Sequence, residues 1–140
     1  MTDSIGFDND FNLLLNKLKN NQLSHSLLLT GNKGIGKKKF LANIIKKYFK
    51  TLINEEQYDH HITLFLNNSH PNIRLVKKEI DEKNKKMKNI ITVDQIRKLN
   101  QFVFETSIIE NLPKFILIDS ADDLNINASN ALLKLLEEPK

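Results

Sequence analysis

Three glycines and a lysine constrain this chain more than any other feature. In Gly31-Asn32-Lys33-Gly34-Ile35-Gly36-Lys37-Lys38 the glycines fall where a backbone must turn tightly. An apolar run, Ser26 to Thr30, precedes them, and Phe40, Leu41, Ile44, Ile45 and Tyr48 follow at helical spacing. The run reads as a buried parallel strand, so the local order is strand, glycine loop, helix. That order and the GxxxxGK spacing define a phosphate-binding loop, in which backbone N–H groups and the positive helix end face an anion. One position breaks the pattern: Lys38 stands where Ser or Thr is required.

The substitution is chemically legible. Lys37 reaches terminal phosphates as a point charge, whereas the absent hydroxyl would ligate the magnesium that bridges them. A lysine ligates no cation, and its charge opposes one. Gly31, Gly34, Gly36, Lys37 and Lys38 are therefore the candidate nucleotide-binding residues. ATP held weakly, without hydrolysis, is the cofactor expectation, and no residue is assigned a catalytic role.

At 140 residues the chain fits one domain and is small for a complete P-loop ATPase. With 40% hydrophobic and 27% charged residues it is expected to fold. It has no stretch of eighteen apolar residues, and Met1-Thr2-Asp3-Ser4 is unlike a secretory signal, so the expectation is cytoplasmic with no membrane partner. The absence of cysteine excludes disulfides and thiolate metal sites. His60 and His61 lack a further ligand at helical spacing and read as a surface pair, so no metal site is assigned. The net charge of +4 is almost wholly lysine, Arg74 and Arg97 being the only arginines. The run from Lys77 to Lys88 is interrupted by Glu79, Asp81 and Glu82 and reads as a solvated loop. The abundance of Lys, Asn and Ile matches the drift of an AT-rich genome.

Phe7, Phe11, Leu14, Leu15 and Leu18 predict a first helix over 7–20, ended by Asn20-Asn21. Ile62, Leu64, Phe65 and Leu66 predict a short helix before a break at His70-Pro71, and a strand then runs through Ile73, Leu75 and Val76. Thr92-Val93-Asp94-Gln95 has the form of a capping box, opening a helix with Val93, Ile96, Leu99, Phe102 and Val103 on its apolar face. Phe115 to Asp119 is predicted as a fully buried strand. A last helix carries Ala128, Ala131, Leu132, Leu135 and Leu136 and stops at Pro139. Apolar strands alternating with helices imply a parallel sheet covered on both faces.

An apolar strand ending in Asp119, downstream of a P-loop, is a Walker B-like element whose carboxylate approaches a nucleotide's magnesium. Hydrolytic members of the class place a Glu next, to orient the attacking water. Here Ser120 follows, and its hydroxyl is no comparable base at neutral pH. Asp122 and Asp123 read as N-terminal acids of the last helix. The rival reading, a working ATPase, uses Lys37, Asp119 and a displaced acid such as Asp122.

The chain resembles the N-terminal part of the delta-prime subunits of bacterial DNA polymerase III clamp loaders, which are AAA+ proteins. The resemblance rests on Leu23 to Leu29, on His70-Pro71-Asn72, on Ile90 to Leu99, and above all on Asn130-Ala131-Leu132-Leu133-Lys134-Leu135-Leu136-Glu137-Glu138-Pro139. It implies an α/β fold, an AAA+-type P-loop NTPase with a parallel sheet and helices on both faces, residues 1–140 forming one partial domain truncated before the last strands, lid and collar. It further implies a non-hydrolysing role in sliding-clamp loading, with motor and delta subunits as partners and DNA engaged indirectly through the complex. Intact motor subunits carry GKT or GKS and Asp-Glu; Lys37-Lys38 and Asp119-Ser120 match the degenerate version. The four-cysteine zinc module common in the family has no counterpart here, so zinc is not expected. The resemblance also implies a sensor 1 strand and a Ser-Arg-Cys motif after Lys140; an inert truncated remnant is the third reading.

Overall fold

The computed structural model describes residues 6–106 and 109–138; the leader Met1–Ser4 and Pro139, the predicted helix stop, lie outside them. The chain divides into two compact units, Met1–Ile62 and Thr63–Lys140. Ser26–Thr30 adopts no strand, and Leu27 and Leu28 are 47% and 73% exposed. A strand exists only through its hydrogen-bonded ladder, and among the described residues the sheet consists of two other segments. Without that ladder the glycine-loop half builds its core from helices.

The first unit contains α1 (Asp8–Lys19), α2 (Lys37–Leu52) and the greater part of α3 (Glu55–Leu66). Asp8 and Asp10 in the first turn of α1, and Lys17 and Lys19 in its last, complement the helix dipole. Asn21, at φ 52°, ends the helix: its N–H donates to Leu18 O at 3.2 Å and that of Gln22 to Lys17 O at 2.8 Å. Asn68, at φ 55°, ends α3 in the same way, through Phe65 O and Leu64 O. Edge-to-face contacts of Phe7 and Phe11 with buried Phe40, each at 6.0 Å between centroids, join α1 to α2. Helix α3 begins well before the predicted Ile62, because Asn54 Oδ1 accepts from Gln57 N at 3.0 Å and so caps it. The Tyr58 hydroxyl donates to Lys46 O, tying α3 to α2.

The expected surface pair of histidines is only half on the surface. His60 is exposed, but His61 is buried, with the two ring centroids 6.0 Å apart. Burial first, then the neighbouring His60, holds the His61 imidazole below its ordinary value.

In the second unit β1 (Ile73–Lys77) and β2 (Phe115–Asp119) pair in parallel, Ile73 opposite Phe115 and Lys77 opposite Asp119. Strand β2 is half-buried throughout rather than fully buried. Between them lie a hairpin and α4 (Val93–Phe104); after β2 come a 3₁₀ turn (Ala121–Asp123) and α5 (Ile126–Glu137). Both arms of the Thr92–Gln95 capping box form, and Gln95 Nε2 also donates to Lys77 O at 2.8 Å. A parallel bridge between Ile91 and Leu124 starts α4 and α5 side by side, Asn125 capping α5 through Ala128 N at 2.8 Å. Val76, Ile91, Ile96, Leu99, Ala128 and Leu135 form the core beneath them.

Two changes test this account. Asn125→Ala should lower unfolding free energy by about 1 kcal/mol, read from urea melts, because the Ala128 N–H loses its acceptor. Because the neutral form of His61 is favoured in the fold, its contribution is present above the unfolded value of about 6.5 and declines as pH falls through the lower folded value. The drop in urea midpoint between pH 7.5 and pH 5 should shrink in His61→Phe.

Candidate functional site

The glycine loop is closed by backbone conformation rather than by crowding. Gly34 and Gly36 hold φ of 86° and 95°, and a Cβ on either would meet nothing within 4 Å. Conformation alone therefore demands glycine at these two positions. Gly36 is also the left-handed N-cap of α2, its carbonyl accepting from Phe40 N at 2.9 Å. Across the turn, Ile35 N donates to Asn32 O at 3.4 Å.

Lys37, the first residue of α2, folds back into the loop. Its ammonium donates to Gly31 O at 2.8 Å and Asn32 O at 2.9 Å. Lys38 and Lys39 continue the first turn, which holds no acidic residue. Three consecutive cations thus sit at the positive end of the α2 dipole, an arrangement that repels itself and attracts anions. Beside the loop a mostly apolar cavity of about 270 Å³ is lined by Leu29, Thr30, Ile35, Gly36 and Lys37 together with Phe7, Asp10, Leu13, Leu14 and Phe40. Gly31, Gly34, Gly36, Lys37 and Lys38 all belong to Met1–Ile62, whereas Asp119 belongs to Thr63–Lys140.

Asp119 ends β2, and Ser120 opens the 3₁₀ turn, its carbonyl accepting from Asp123 N at 3.0 Å. Asp122 and Asp123 lie in that turn and not in the first turn of α5, which has no acid and is capped by Asn125 instead. Asp123 pairs with Lys78 at 3.3 Å. The two longest segments of resemblance meet: Val93, Arg97 and Asn100 of α4 face Asn127, Asn130, Ala131, Lys134 and Leu135 of α5 across a groove of about 490 Å³.

The His70-Pro71-Asn72 segment is a polar clamp. His70 and Asn72 are fully buried, and His70 Nδ1 accepts from Asn72 N at 3.1 Å. Asn72 Nδ2 donates to Ile109 O at 3.2 Å and Leu112 O at 3.0 Å. Arg74 Nη1 takes up the carbonyls of His70 and Ile73, each at 3.1 Å, with its guanidinium 4.3 Å from the centre of the Phe102 ring. Lys114, which sequence reading passed over, donates to Phe102 O and Glu105 O and so closes the C-terminus of α4. A lone lysine before a strand carries no local pattern that would have marked it.

Gly36→Ala should cost about 1–2 kcal/mol of stability through backbone strain alone, since the added methyl has room. Equal urea midpoints for the two proteins would contradict the left-handed cap.

The sequence pattern of the family described as "DNA polymerase III, delta subunit" matches residues 7–140. The DNA polymerase III subunit delta' of Bacillus subtilis (strain 168) is 30% identical over 129 residues, which is 91% of this chain and 36% of the relative. The DNA polymerase III subunit delta' of Pseudomonas aeruginosa is 49% identical over 49 residues, 35% of this chain and 15% of the relative. The chain thus spans about a third of the length of the first relative and less of the second. No solved structure matches it. Among the described residues no helix is long and apolar enough to cross a membrane. With the family's pattern running from α1 through the glycine loop to α5, the chain belongs to the DNA polymerase III delta subunit family.

Proposed function

We propose that this chain serves as a non-hydrolysing clamp-loader subunit of the delta-prime type, contributing to sliding-clamp loading in DNA replication in the cytoplasm. Its partners are the motor and delta subunits, met through the glycine-loop side and α5, and it reaches DNA through that assembly. The observation that carries the non-hydrolysing part is the loop's own lysine arrangement. Lys37 donates to two loop carbonyls, and Lys38 follows it where a magnesium-ligating hydroxyl is needed.

The residues present fit an anion and not a metal-bridged one. Gly31, Gly34 and Gly36 shape the turn, and Lys37 and Lys38 supply charge that phosphates of ATP would neutralise. ATP bound there would supply a phosphoryl group for transfer, but this chain offers it no hydroxyl ligand for magnesium in the loop and no Glu after Asp119 to orient water. Lys38 raises the local positive charge and so disfavours a divalent cation. Binding of nucleotide and its hydrolysis are thereby separable properties.

The full chain, incubated with ATP and magnesium, should release phosphate no faster than buffer in a colorimetric assay. A fluorescent ATP analogue should bind no more tightly with magnesium than with EDTA, and Lys38→Thr should restore a magnesium dependence. In gel filtration the chain should co-elute with the motor and delta subunits. Magnesium-dependent turnover that disappears in Lys37→Ala would refute the proposal.

A further inference from the structure

The groove between α4 and α5 is lined by three carboxamides that the fold does not use, Asn100 on one wall and Asn127 and Asn130 on the other. All three residues are exposed, and among the described residues none of these side chains has a hydrogen-bond partner within the protein. Helix capping is done by others: Asn125 caps α5, and the α4 box belongs to Thr92 and Gln95. Between the walls Val93 and Ala131 are half-buried and Leu135 is buried, which gives the groove a narrow apolar floor.

Charge along the groove is close to balanced. Its cations are Arg97 and Lys134, its acid is Glu138, and Asp94 already sits on Arg97 at 3.4 Å. A nucleic acid strand needs cations for successive phosphates, and this lining leaves too little net charge to supply them.

We propose that the α4–α5 groove holds an extended peptide segment of a partner protein, gripped through its main chain. The proposal goes beyond the assembly described above, which uses α5 without saying what its groove recognises. A carboxamide carries donors and an acceptor side by side, which matches the N–H and C=O that successive residues of a peptide present. The parallel bridge between Ile91 and Leu124 starts the two helices together, so the walls run alongside one another. From Asn127 to Glu138 the lining extends about 16 Å along α5, the reach of about five extended residues. The floor takes a small apolar side chain, and Lys134, which has no acidic partner among the described residues, favours a carboxylate beside it.

Fluorescence anisotropy of the full chain with the labelled peptide Gly-Ser-Val-Asp-Val-Ser-Gly tests this. Asn127→Ala/Asn130→Ala should weaken binding by about fivefold or more, whereas Asn9→Ala/Asn12→Ala, on exposed positions of α1, should change it less than about twofold. Methylating the main-chain nitrogens of the two valines should cost about fivefold, since it removes donors and leaves the side chains alone. A peptide with lysine in place of the aspartate should bind more weakly, and Lys134→Gln should abolish that difference. Circular dichroism confirms that each variant is folded. The proposal is overturned if the methylated peptide binds as well as the parent, if the Asn127→Ala/Asn130→Ala variant binds like wild type, or if no binding is seen at about 1 mM. It is equally overturned if an oligo(dT) strand displaces the peptide and itself loses affinity in that variant, which would assign the groove to nucleic acid. Gel filtration with the motor and delta subunits keeps the two readings apart. Co-elution without peptide binding sinks the groove and leaves the assembly standing; peptide binding without co-elution does the reverse.

Discussion

A parallel pair of five-residue strands has no tight turn to set its register, so something outside the ladder must hold the two entering chains together. The buried clamp at His70-Pro71-Asn72 does this. Asn72 reaches from the approach to β1 to the carbonyls of Ile109 and Leu112 on the approach to β2, and its own carbonyl accepts from Phe115 N at 2.9 Å. The Leu112 carbonyl would otherwise be a buried acceptor lacking a donor, at about 1–3 kcal/mol. Once Phe115 is set opposite Ile73, the register brings Ile118 beside Val76, and both reach the core shared with α4 and α5. The far end of β1 is held by Gln95, which also serves the α4 cap, so strand and helix are fixed by one side chain.

What was legible in the sequence is what is decided locally. The Thr92–Gln95 box needs only residues three apart, and it forms as read. The helices carry their periodicity within themselves. Ser26–Thr30 failed because an apolar run is only a candidate strand until a ladder partner is found, and none pairs with it among the described residues. The asparagines show the opposite error. Their abundance reads as compositional drift, yet Asn21 and Asn68 occupy left-handed helix ends and Asn54 and Asn125 cap helix starts. Lysines from Lys77 to Lys88 were judged by charge alone, which conceals the Ile80–Met87 bridge that orders them.

Of the candidate site, the loop's shape was readable because glycine spacing and positive φ are two statements of one constraint. The back-folded Lys37 was not, since nothing in a motif tells whether its lysine points to a ligand or to its own backbone. Nor was the placement of Asp122 and Asp123. Carboxylates near a helix start look like dipole partners, but Asn125 had already taken the cap, leaving the acids in a separate 3₁₀ turn.

The first turn of α2 shows how a loop of this kind holds its form independently of the residue at position 38. Three lysines at the positive end of a helix dipole are unfavourable by roughly 0.3–1 kcal/mol each at low salt, less where solvent screens them. Against this stand the two charge-assisted bonds of Lys37 and the burial of Phe40 against Phe7 and Phe11, the latter contributing about 1.5–3 kcal/mol on area alone. Shape here rests on glycine conformation and aromatic packing, neither of which involves position 38. Exchange of a hydroxyl for an amine at that position therefore alters what the loop can ligate while leaving the backbone that carries it in place.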